Sequence, residues 1–71
     1  MLPGMDIRKQ VGLNVRRIRR EKNWSQEELA FESGVHQTYV SGVESGRRNP
    51  TILLLRRLAD ALGVAPAKLL E

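Results

Sequence analysis

Residues 25–45 read SQEELAFESGVHQTYVSGVES, and the way this stretch divides decides the fold. Ser25 stands where a helix N-cap is expected, and Glu28 three residues later completes a capping box. In that arrangement the serine hydroxyl and the glutamate carboxylate satisfy backbone N–H groups that a first helical turn leaves unpaired. Leu29 and Ala30 are the inward positions of this helix, and Gly34 stops it. The chain restarts almost at once. A second short helix is expected from about His36 to Ser45, with Gly46 as its C′ residue and Val35, Val40 and Val43 as apolar anchors. Two short helices are thereby joined by a turn of about three or four residues, the connection of a helix-turn-helix unit. Ala30 is small where a close crossing needs it, and Gly34 can take the positive φ of the turn.

Outward from this unit the pattern stays helical. Asp6 is a candidate cap for a helix carrying Ile7, Val11, Val15 and Ile18 at helical spacing and ending near Asn23, with Arg16, Arg17 and Arg20 off the apolar stripe. Pro50 and Thr51 open a fourth helix whose stripe runs through Ile52, Leu55, Leu58, Ala59 and Leu62 to a stop at Gly63. A short fifth helix is expected near Pro66 with Leu69 and Leu70. No segment alternates like a strand, and no repeat, low-complexity tract or linker divides the chain. The expected fold is all-α, a compact five-helix bundle over residues 6–71 behind a short leader, residues 1–5, with its helix-turn-helix unit at residues 25–45.

A 71-residue chain makes one small domain, too small for a deep catalytic cleft. It has no cysteine and one histidine, His36, so neither a disulfide framework nor a metal site can be assembled, and a reducing, cytoplasmic setting is expected. The longest purely apolar run, Ile52 to Leu55, is far short of a membrane span, and nothing resembles a signal peptide. No paired carboxylates, activated nucleophile or glycine-rich phosphate loop points to an enzyme, and no cofactor is implied. The net charge is +4, and its distribution matters more than its size. Basic residues crowd the first third, recur at Arg47 and Arg48 and again at Arg56 and Arg57, but are absent between Asn23 and Gly46. Two basic flanks around a polar, uncharged centre suit a surface that grips phosphates while its middle reads something neutral, such as base edges.

That middle is the segment from His36 to Ser45. At about 100° per residue, turning Val40 and Val43 to the core gathers Gln37, Thr38, Ser41 and Gly42 on the opposite face. Solvated helix faces usually carry Lys and Glu; these four positions carry neither. Gln can pair bidentately with N6 and N7 of adenine in the major groove, and a Thr methyl can touch the thymine methyl.

Gln26, Leu29, Ala30, Gly34, Val35, Val40, Val43 and Glu44 together resemble the helix-turn-helix pattern of phage repressors, Cro proteins and their bacterial relatives. The likeness extends across most of the chain, from Val11-Gly12 through Trp24 to Ala30 and Glu44 to Arg47, and on to Ala61-Leu62-Gly63-Val64. It implies a dimer on a palindromic double-stranded DNA operator, with the third helix in the major groove. Carried onto this sequence, the resemblance makes Gln37, Thr38, Ser41 and Gly42 base-reading positions. Ser25, Gln26, His36, Tyr39, Arg47, Arg48 and Asn49 become phosphate contacts, with the N–H groups at the start of the second helix favouring an anion beside Gln26. Gly42 departs from relatives that place a longer polar side chain there. Arg19 and Glu44 correspond to a buried ion pair between the first and third helices.

The segment from His36 to Val40 with Arg47-Arg48-Asn49 is similar to controller proteins of restriction-modification systems, although phage repressors and antitoxins share most of these features. Leu53 and Leu54, partly off the stripe of the fourth helix, are expected to form a homodimer seam with Leu69 and Leu70. No small-molecule effector is implied. A protein-interaction adaptor or antitoxin-like module built on the same bundle is the alternative, against which the polar third-helix face and the Arg47-Arg48 loop weigh.

Overall fold

A computed structural model describes residues 6–71; the expected leader lies outside the described residues. The elements in chain order are α1 (Ile7–Glu21), α2 (Gln26–Ser33), α3 (Gln37–Glu44) and α4 (Ile52–Leu62), followed by a 3₁₀ turn at Pro66–Leu70. The fold is all-α, but the fifth helix is this 3₁₀ turn, held by an i→i+3 bond from Lys68 N–H to the Ala65 carbonyl at 2.9 Å. Five residues opened by a proline are too few to close a stable α-helix, and 3₁₀ geometry suits such short pieces.

Local chemistry sets the helix ends. The Asp6 carboxylate accepts from Arg8 N–H at 2.8 Å and from the Arg8 guanidinium at 2.7 Å, so it caps α1. The Arg8 side chain is the main reason the Asp6 carboxyl titrates at about 2. Ser25 accepts from Glu28 N–H at 3.0 Å, and Thr51 accepts from Leu54 N–H at 3.1 Å. At the end of α1, Asn23 takes φ 61°, and its N–H reaches the Arg20 carbonyl while Trp24 N–H reaches that of Arg19. Asn tolerates this left-handed conformation better than most residues.

The core draws on every element: Val11, Val15 and Ile18 of α1, Leu29 of α2, Val35 of the turn, Val40 and Val43 of α3, Leu58, Ala59 and Leu62 of α4, and Leu69. Of the expected stripe members, Leu55 packs half-buried against it and two fall outside it altogether. Ile7 is exposed, and Ile52 is 88% exposed. Each is the first residue of its helix, where the apolar stripe projects past the edge of the packed layer. The C-terminal turn is tied back to α1 by Asn14, whose buried amide donates to the Leu69 carbonyl at 2.9 Å.

Gly12 decides how closely α1 meets α3. A Cβ there would collide with the backbone carbonyl oxygens of Val43 and Glu44, so the helices touch main chain to main chain. Among the described residues, no helix is long and apolar enough to cross a membrane.

Candidate nucleic-acid interface

The turn between α2 and α3 consists of Gly34, Val35 and His36. Gly34 sits at φ 71°, and Ala30 is its anchor: the Ala30 carbonyl accepts from the N–H groups of both Gly34 and Val35, at 2.9 and 3.2 Å. Val35 then drops into the core and fixes the angle at which α3 leaves. His36 caps α3 through its backbone and is exposed.

On α3, Val40 and Val43 are fully buried while Gln37 and Thr38 are exposed and Ser41 is half-buried. Gly42 does not share that exposed face; it is buried. The Arg48 side chain lies across it, so that a Cβ on residue 42 would stand 2.7 Å from Arg48 Cγ and 3.0 Å from Cδ. The reason is the loop that follows. The Gly42 carbonyl accepts from the N–H groups of Arg47 and Arg48 at 3.0 and 3.1 Å and from the Ser45 hydroxyl at 3.1 Å, which folds the chain back over the end of α3. Arg48 then runs along the helix, and its guanidinium carbon comes to 5.2 Å from the centre of the Tyr39 ring. Tyr39 itself is half-buried against the core. The Arg47 guanidinium is steadied by a 3.0 Å bond to the Ser45 hydroxyl, and Asn49 is exposed beside it. Thr38, Gly42, Arg47 and Arg48 line one concavity of about 400 Å³, in which an exposed hydroxyl meets two cations.

Behind this face Arg19 and Glu44 form a bidentate pair, Nε to Oε2 at 2.6 Å and Nη2 to Oε1 at 2.9 Å, both side chains nearly buried. Arg19 also donates to the Trp24 carbonyl at 2.6 Å. The hydrogen bond from Glu44 raises the Arg19 guanidinium further above its ordinary value, so the charge is fixed. Gln26 is half-buried and gives its amide to Glu44 Oε1 at 3.1 Å. One of its two amide hydrogens is therefore spent internally, and the other remains for a ligand. Ser25 is exposed; its oxygen caps α2, leaving its own O–H proton to donate. The exposed carboxylates of Glu27 and Glu28 in the same turn oppose an anion at that helix end, which the sequence reading did not weigh.

The residues expected at a dimer seam divide. Leu53 is 60% exposed and Leu70 45%, whereas Leu54 packs half-buried against the core. Leu69 is 0% exposed, so it is a core residue and cannot belong to a seam. Its carbonyl bond to Asn14 holds the turn so that one of two neighbouring leucines faces in and the next faces out.

Three features were missed by reasoning from sequence: the close approach at Gly12, the Arg48–Tyr39 stack, and the Gln26–Glu44 bond. Only Gly12 left a signal. A glycine inside a helix costs about 1 kcal/mol relative to alanine, which already points to a packing reason.

A helix-turn-helix family model matches residues 15–69. The chain is 54% identical over 65 residues to an uncharacterized HTH-type transcriptional regulator, y4dJ, of Sinorhizobium fredii, covering 92% of this chain and 84% of that protein. It is 46% identical over 67 residues to the control protein C.BamHI of Bacillus amyloliquefaciens, covering 93% and 83%. Among solved structures, a chain of the restriction-modification controller protein C.Esp1396I, from its tetramer in complex with its natural 35 base-pair operator, superposes with a TM-score of 0.83 at 34% identity, covering 92% of this chain and 86% of that one.

Proposed function

The chain belongs to the Cro-type helix-turn-helix family, and from that premise we propose that it binds double-stranded DNA sequence-specifically as a dimeric transcriptional regulator. The observation that carries the reading is the division of α3: valines fully buried on one side, Gln37 and Thr38 exposed on the other, and two arginines alongside. A surface of that kind fits the major groove, where neutral donors and acceptors tell base pairs apart and cations hold the flanking phosphates. Gln37 pairs with an adenine edge, Thr38 meets a thymine methyl, and Ser41 supports them further along. Gly42 contributes no reading side chain; its role is to let Arg48 lie against α3. Arg47, Arg48 and Asn49 grip the backbone after the helix, with Tyr39, His36, Ser25 and Gln26 on the side of the preceding turn.

Two copies joined through Leu53, Leu70 and the neighbouring Ile52 present two such helices to half-sites about one turn, ~34 Å, apart on a palindromic operator. The control protein among the relatives, and the controller protein solved on its natural 35 base-pair operator, support a controller-type role.

Selection of bound duplexes from random DNA tests the proposal, and a palindromic consensus is the expected outcome. Against that consensus, Gln37→Ala lowers affinity by about 1–3 kcal/mol at one base pair per half-site and leaves the others alone. Arg47→Ala weakens all sequences alike and lowers the slope of log K against log salt by about 0.9 for a lost phosphate contact. Identical behaviour of the two variants across operator changes, or no duplex preferred in the selection, overturns the assignment.

A further inference from the structure

Two exposed features lie outside the surface just described, and they are complementary. On α2, Phe31 is 80% exposed. It stands one helical turn after Glu27 and Glu28 and next to Glu32, all exposed, so a large aromatic ring projects from an acidic helix. On α1, Leu13 is 51% exposed and, with Arg16, Arg17 and Arg20, forms a shallow, open apolar-and-basic face. Glu21 at its edge offsets one of these charges through a 3.3 Å pair with Arg17. Every lining residue belongs to α1, so the molecule's own α2 takes no part in it.

We infer that Phe31, with the carboxylates around it, docks onto the Leu13 face of a second copy of this chain. The face is shallow but broad enough for a phenyl ring to lie on it. Leu13 offers apolar surface, guanidinium groups stack well on aromatic faces, and the carboxylates beside Phe31 meet the arginines that frame it. Exposed apolar side chains rimmed by charge mark contact sites, and here rim and face carry opposite signs. Knob and face are different surfaces of one protomer. Their contact is therefore heterologous and repeats from copy to copy instead of closing on itself, unlike a two-fold seam through Leu53. One side chain and its rim bury little area, so the association is weak, concentration-dependent and reduced by salt.

Sedimentation velocity on the full chain without DNA, over a range of protein and salt concentrations, reads this directly. The wild-type protein is expected to form species larger than its smallest assembly as concentration rises, and to lose them in high salt. Phe31→Glu removes the knob and Leu13→Glu disrupts the face; each alone abolishes the larger species. Both positions are exposed, and an unchanged circular dichroism spectrum checks that the fold survives. An equimolar mixture of the two variants regains the association, because one retains the face and the other the knob. The inference is overturned if the wild type shows no larger species, if either variant still forms them, or if the mixture fails to restore them. DNA is absent throughout, so failure here is separate from failure of the DNA-binding proposal.

Discussion

Glu44 joins three helices through one carboxylate: it sits on α3, pairs with Arg19 of α1 and orients Gln26 of α2. The pair is nearly buried, so removing one partner leaves the other charged in a poor solvent, a loss of about 3–5 kcal/mol. A domain of this length has roughly 4–11 kcal/mol in total at the usual stability per residue. Glu44→Ala is thus expected to lower the urea midpoint sharply or to unfold the protein. Its DNA binding falls as well, because Gln26 loses the partner that orients it. An unchanged midpoint would show that the pair contributes little. Leu69→Glu belongs to the same class of effect, since its side chain is wholly interior.

Between α3 and the loop that follows it, geometry and helix propensity pull in opposite directions at Gly42. Alanine is favoured over glycine in a helix by about 0.8–1 kcal/mol. Yet the new methyl would meet Arg48 Cγ at 2.7 Å. The Arg48 side chain is exposed and can swing aside, leaving its stacking position on Tyr39. Gly42→Ala is therefore expected to keep or slightly raise thermal stability while weakening DNA binding. The slope of log K against log salt should fall by about 0.9, as for loss of the phosphate contact proposed for Arg48. Fluorescence anisotropy over a salt series, set beside Arg48→Ala, checks this; equal affinity of Gly42→Ala and wild type would remove the positioning role.

At the scale of the whole molecule, Ile52, Leu53 and Leu70 leave apolar surface on α4 and the C-terminal turn, two elements that pack on each other. Covering that surface is how the proposed two-fold dimer would form, and the charge of Leu53→Glu would be stranded in such a seam. The variant is expected to sediment as a folded monomer and to lose most of its affinity for a palindrome, because the two half-sites are no longer held by one particle. A dimer undisturbed by Leu53→Glu would place the seam elsewhere.

Sequence alone determined whatever depends on short-range pattern. Cap residues Asp6, Ser25 and Thr51, the stops at Asn23, Gly34 and Gly63, and the alternation of valines with polar residues on α3 act within a turn or two of the chain, so their consequences can be read without a partner element. Tertiary packing decided the rest. Whether Leu69 or Leu70 faces inward depends on Asn14, far away in α1. Gly42 is buried because a loop four to six residues later folds back over it, and Ile52 is exposed because the packed layer ends before it. A helical period tells which side chains share a face; only the neighbouring elements tell which of them are covered.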